Sequence, residues 1–237
     1  MNDFTRVSSG INAKPVSYND SLRAFMMSVY NHMATALAIT GLIAYFVGTN
    51  TQIFQMFYGT PVIYVIMFAP VVLAMVFGAK VYTMSPKAAA IGLYSFAALM
   101  GISTAYIFMV YTAVSIASTF FMTASIFGGM SLYGYTTKKD LTSWGSFLVM
   151  GMFAAILVSV VNIFLKSPAI SYAVSYVVVF LVIGLTAYDT QKLKQIHYQV
   201  SGDRTMVARA SIAGAFSLYL DFLNLFIQLL RLFGNRK

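Results

Sequence analysis

Two aspartates stand where the chain is most apolar. All six acidic residues are Asp, at positions 3, 20, 140, 189, 203 and 221. Asp3, Asp20, Asp140 and Asp203 lie in polar flanks, where a solvated surface role is expected. Asp189 ends the run VVVFLVIGLTAYDTQ, and Asp221 sits inside FSLYLDFLNLFIQLL. Insertion scales put an Asp at the centre of a membrane helix at about 2.5–3.5 kcal/mol unfavourable, so such a residue faces protein or water and needs a partner. Around Asp221, the residues Gly214, Ser217, Asn224, Gln228 and Arg231 recur at intervals of three and four, which places them on one helix face. Two readings fit that stripe: a hydrogen-bond knot holding helices together, or an ion pathway. The second Asp, on the preceding helix, favours the pathway. If the two carboxyls meet in a low-dielectric site they cannot both ionise comfortably, so they share a proton and titrate as a pair, which makes a pH sensor. One objection is depth. With Asp189 near the end of its helix and Asp221 well inside the next, a rise of 1.5 Å per residue separates them by up to ~20 Å.

The elements that carry these residues must be membrane spans. Of the 237 residues, 59% are hydrophobic and 9% charged, against roughly a quarter charged in soluble domains. Since about 20 apolar residues cross the hydrocarbon, the sequence predicts seven helices near 26–47, 61–79, 87–109, 111–134, 144–165, 169–190 and 208–233. The runs are continuous, without the alternation of a membrane barrel. The expected fold is therefore an all-α integral membrane protein, a seven-transmembrane-helix bundle. A polar cytoplasmic tail over 1–24 precedes the transmembrane domain over 25–237, and the longest loop is expected at 191–207. Small and polar residues on the fourth helix, Ser115, Ser118, Ser125 and Gly129, suggest a second packing stripe.

Charge then sets orientation. The net charge of +9 comes from 15 Lys and Arg against six acids, and the basic residues flank the spans. With seven spans one face receives Arg6, Lys14, Arg23, Lys80, Lys87, Lys138, Lys139, Lys192, Lys194, Arg204 and Arg209, and the other Lys166, Arg231, Arg236 and Lys237. The positive-inside rule puts the amino terminus in the cytoplasm and the carboxy terminus outside, although three basic residues at the carboxy terminus run against it. The same reading makes the lipid bilayer the partner and removes nucleic acid from consideration.

Several chemistries are disfavoured by residue type. Cysteine is absent, which removes disulfides, thiolate metal sites and cysteine nucleophiles. Every Lys lies in a flank or loop, so no buried Schiff-base lysine is expected. His32 and His197 lack the spacing of a metal or haem site, and His32 reads as a packed polar residue. Neither a phosphate loop nor a dinucleotide fingerprint occurs. An intramembrane aspartyl protease would use two membrane aspartates, one in a Tyr-Asp pair as at Tyr188-Asp189, but Leu218-Tyr219-Leu220-Asp221 lacks the glycines that admit a substrate backbone. No enzyme activity and no cofactor are expected.

The segment GLTAYDTQKLK at 184–194, followed by LYLDFLNLFIQLLRLFGNRK, resembles the Bax inhibitor-1 family of membrane proteins. Arg23-Ala24-Phe25 leading into VYNHMATALAITG and the segment MSLYGYTTKKDLTSWG at 130–145 resemble the corresponding family segments, in the same order, and the pattern is most similar to bacterial inner-membrane members. The resemblance implies a last helix in the centre of the other six and a pH-sensitive calcium leak governed by two aspartates, whose motif positions are held by Asp189 in AYDT and Asp221 in LYLDF. It also implies contact between the two. Some relatives latch one aspartate with an arginine on the second helix. This second helix has no Arg, and Lys80 at its cytoplasmic end is the nearest substitute, without an arginine's bidentate fork. Two carboxylates are too few for a tight calcium cage, so Asp189 and Asp221 would hold calcium transiently, with Ser217, Asn224 and water helping. The sequence leaves open a proton-coupled transporter using the same pair, and a scaffold that regulates membrane partners.

Overall fold

A computed structural model describes residues 18–237. The described residues form nine helical segments: α1 (Tyr18–Thr49), α2 (Thr51–Tyr58), α3 (Val62–Lys80), α4 (Pro86–Thr104), α5 (Tyr106–Val110), α6 (Ala113–Thr136), α7 (Thr142–Leu165), α8 (Pro168–Val200) and α9 (Arg204–Phe233). Seven spans are long and apolar enough to cross a membrane, α4 and α5 together making one of them, Pro86–Val110. The fold is the expected seven-helix bundle. The amphipathic α2 is a short connector, N-capped by the Asn50 side chain.

The last helix is the hub. In α9, 67% of the most apolar window is buried, against at most 39% in any other span, because α9 packs against α8, α1, α6 and α4. Its aromatic residues lock several of these contacts. Phe216 meets Phe77 and Phe96 edge-on, and Phe222 meets Phe127 of α6. By contrast α7 packs chiefly on α8 and turns Phe147, Phe153, Leu157 and Phe164 outward. In water such a helix would be an aggregation liability, whereas in lipid it is an ordinary outer wall.

Four expectations change. The helix predicted from residue 26 begins at Tyr18, because Leu22 and Phe25 continue the buried face of Met26 and Val29; the tail boundary at 24 therefore falls inside α1. Residues 1–17 of that tail, with Arg6 and Lys14, lie outside the described residues. The loop expected over 191–207 is mostly helix. Its polar segment continues α8 to Val200, with Leu193 and His197 buried, and only residues 201–203 connect α8 to α9. Asp203 and Asp140 are more than solvated carboxylates. Asp203 caps α9 by accepting from the Thr205 and Met206 amides at 2.7 and 3.2 Å. Asp140 accepts from the Thr142 hydroxyl and amide at 2.6 and 2.9 Å, and these bonds, the hydroxyl first, hold its carboxyl below the usual range. Finally, the packed face of α6 is Ser115, Thr119, Thr123, Phe127, Ser131 and Gly134. Ser118, Ser125 and Gly129 are exposed instead. The Ser118 and Ser125 hydroxyls donate to the Ser115 and Phe121 carbonyls of their own helix, which satisfies them without a partner helix.

Candidate functional site

The α8–α9 hairpin brings the two aspartates together. Because α8 runs eleven residues past Asp189 to Val200 and α9 starts at Arg204, both residues are well inside their helices. Counted from the turn, Asp221 is seventeen residues into α9, and the depth offset falls to ~9 Å at 1.5 Å per residue. Asp189 is close enough to Asp221 for its charge to act on it. Asp189 is half-buried, with Lys192 as its cationic neighbour and the Ser217 side chain of α9 beside it. Asp221 is buried, its charged neighbour is Asp189, and its Oδ2 has no hydrogen-bond partner.

A polar scaffold fixes α8 at this depth. The Thr186 and Thr190 hydroxyls donate back to Val182 and Thr186 carbonyls at 2.8 Å each. Ser131 of α6 meets Thr190 at 3.0 Å and also bonds Tyr30 of α1. The next residue, Gln191, ties α8 to the α6–α7 connection, donating to the Lys139 carbonyl at 2.7 Å and accepting from the Leu141 amide at 2.8 Å. Gly134 lets α6 approach closely here: a Cβ on it would collide with the Ala187 carbonyl. We predict that Gly134→Ala forces α6 from α8 and lowers stability by about 1–3 kcal/mol, read as a lower thermal midpoint in detergent; an unchanged midpoint contradicts the close packing.

The opposite face of α9 is tied down differently. Leu218 and Tyr219 are fully buried, and the Tyr219 hydroxyl bonds Thr40 of α1 at 2.7 Å, which itself donates to the Ala97 carbonyl of α4 at 2.9 Å. The polar stripe therefore faces α8. Gly214 sits against Leu193, Ser217 against Asp189, and Asn224 and Gln228 follow half-buried. The Gln228 Oε1 is buried without a partner. Arg231 closes the stripe, exposed at the far end.

Among sequence-predicted residues the structure joins Asp189, Asp221 and Ser217, and aligns Asn224 and Gln228 with them. Lys80 is not brought to the pair: it ends α3 exposed, and the cation beside Asp189 is Lys192. The reason is register, since Lys192 lies three residues on from Asp189 on the same helix. His32 packs as expected, its Nδ1 2.7 Å from the Tyr94 hydroxyl. Sequence reasoning missed Ser131, Thr190 and Gln191, whose only signal is polarity at helical spacing in an apolar run. Among the described residues no three His or Asp side chains gather as a metal cluster, so a cation at the pair would draw on Ser217, Asn224 or water for its remaining oxygens.

Sequence comparison gives a consistent answer. The family model described as "Inhibitor of apoptosis-promoting Bax1" matches residues 22–237. An uncharacterized protein of Rickettsia prowazekii is 42% identical over the whole of both chains, and one of Caulobacter vibrioides is 41% identical, again over both in full. "Inner membrane protein YbhL" of Escherichia coli is 42% identical over 91% of this chain and 93% of its own.

Proposed function

The chain belongs to the Bax inhibitor-1 family, and we propose that it is a pH-sensitive cation leak of the bacterial inner membrane, passing calcium, in which Asp189 and Asp221 together sense pH and hold the ion briefly. The observation that carries this reading is a buried Asp221 whose charged neighbour is another aspartate and whose Oδ2 has no hydrogen bond. A structural knot would be satisfied, because buried polar groups that stabilise a fold are hydrogen-bonded. An orphaned acceptor beside a second carboxyl suits a group that changes protonation or takes a passing cation. Ser217, Asn224 and Gln228 extend the path along α9. Coordination by so few oxygens is weak, as conduction requires. The reading includes no enzyme activity and no cofactor.

Purified protein in liposomes loaded with a calcium dye tests the proposal, with flux followed between about pH 5 and pH 8. Passive, non-saturating calcium flux that changes over this range supports the leak. Saturable substrate-driven proton flux points to a coupled transporter instead.

We also propose that the amino terminus and the α8–α9 turn face the cytoplasm and the carboxy terminus lies outside. Support comes from Arg23, Lys80, Lys87, Lys138, Lys139, Lys192, Lys194, Arg204 and Arg209, which share one end of the bundle. One of the three basic residues at the carboxy terminus has a local use: the Lys237 ammonium donates to the Phe108 carbonyl at 2.7 Å, at the carbonyl end of α5. A reporter fused after Lys237 is expected to be active only outside the cytoplasm. Cytoplasmic activity would contradict the orientation.

A further inference from the structure

The end of the bundle that carries the last turn of α9 has basic residues and no acidic side chain among the described residues. Lys166, Arg231, Arg236 and Lys237 lie there, whereas Asp20, Asp140 and Asp203 lie at the other end and Asp189 and Asp221 lie within the bundle. Lys237 is engaged by the Phe108 carbonyl. Lys166 and Arg231, however, line one polar cavity of about 490 Å³ between α7, α8 and α9, together with Ser159, Asn162 and Ser171. The three polar residues are committed elsewhere. Ser159 donates to the Ala155 carbonyl at 2.7 Å. Asn162 bonds Ser167 and Ser171 and so holds the α7–α8 turn, and Ser171 also donates to Ser167 at 3.2 Å. The two cations are left as the cavity's available donors.

Lys166 occupies an unusual backbone position. It caps α7 in the left-handed region, with φ 52°, where glycine is the favoured residue. The turn itself is held by Asn162, so the lysine side chain is not what makes it. The first turn of the 33-residue α8 opens onto the same cavity through Pro168 and Ser171, adding the positive end of the helix dipole.

We propose that this cavity is a binding site for a phosphate-type oxyanion, held between the Lys166 ammonium and the Arg231 guanidinium. Two exposed cations that line one cavity with no carboxylate in its lining offer an anion from outside the chain both a point charge from lysine and a planar fork from arginine. The group is supplied either by free inorganic phosphate or by the headgroup of an anionic phospholipid. The site stands apart from the aspartate pair and rests on no part of the calcium reading.

The test is thermal unfolding of the full chain in detergent, in two arms: inorganic phosphate against chloride at equal ionic strength, and phosphatidylglycerol against phosphatidylcholine. The wild type is expected to be stabilised by phosphate, by phosphatidylglycerol, or by both. Stabilisation by the lipid alone identifies a headgroup, and stabilisation by both identifies the phosphate group itself. Lys166→Gly and Arg231→Gln should each weaken the apparent affinity about tenfold, the loss of one charge-assisted contact. Lys166→Gly is expected to fold, since glycine suits that φ. Lys138→Gln, an exposed change at the opposite end, should leave the response intact. No response to either source, an undiminished response in both cavity variants, or an equal loss in Lys138→Gln overturns the proposal.

Discussion

Asp221→Asn is expected to keep the fold and to remove most of the pH response of calcium flux. Asn is nearly isosteric and still offers an oxygen to the stripe, while the ionisable half of the pair is gone. Since Asp189 is the charged neighbour of Asp221, its removal also changes what Asp189 experiences, so the remaining carboxyl titrates as a single partly exposed group beside Lys192. Flux in liposomes should become nearly flat where the wild type responds steeply. A wild-type pH profile in the variant would make Asp221 a structural residue.

Asp221→Leu is expected to raise thermal stability while abolishing the pH response. A buried polar atom without a partner carries a desolvation cost of about 1–3 kcal/mol, and the Asp221 Oδ2 is such an atom. Leu is close in size and suits a helix whose buried residues include Leu218, Leu223, Leu225 and Leu229. A residue kept for stability loses stability when it is removed, whereas a residue kept for function at the expense of the fold does the reverse. A lower unfolding midpoint for Asp221→Leu in detergent would argue that the carboxyl holds the helices together.

The spans were legible because a run of about twenty apolar residues has few alternatives in a chain this poor in charge. Boundaries were less so where polarity and helicity part company. The segment after Asp189 contains Lys192, Lys194 and Gln195 and reads as a loop, yet Leu193, Ile196, His197 and Val200 keep a helical spacing, and that inner face extends α8 beyond the apolar core. The α6 stripe failed for a related reason. Ser118 and Ser125 can bond to their own helix, so a hydroxyl in a membrane helix does not by itself mark the buried face.

The site divides along the same line. Asp189 and Asp221 announce themselves, because a carboxylate inside apolar sequence needs an explanation. Their depth match depended on where α8 ends and α9 begins, which polar sequence hid. The residues that steady the pair, Ser131, Thr190 and Gln191, are common polar types whose importance comes only from which helices meet. Lys192 in place of Lys80 as the nearby cation is likewise a matter of register, visible once Asp189 is seen inside a continuous helix.

The most direct measurement is a double-variant cycle: pH profiles of calcium flux in liposomes for the wild type, Asp189→Asn, Asp221→Asn and the variant carrying both changes. Groups that share a proton act as a unit, so their effects are non-additive. Either single change should flatten the profile, and the double change should add little to it. Effects of the two single changes that add within error in the double variant would contradict the account, because they would show two independent carboxyls even in a protein that conducts calcium.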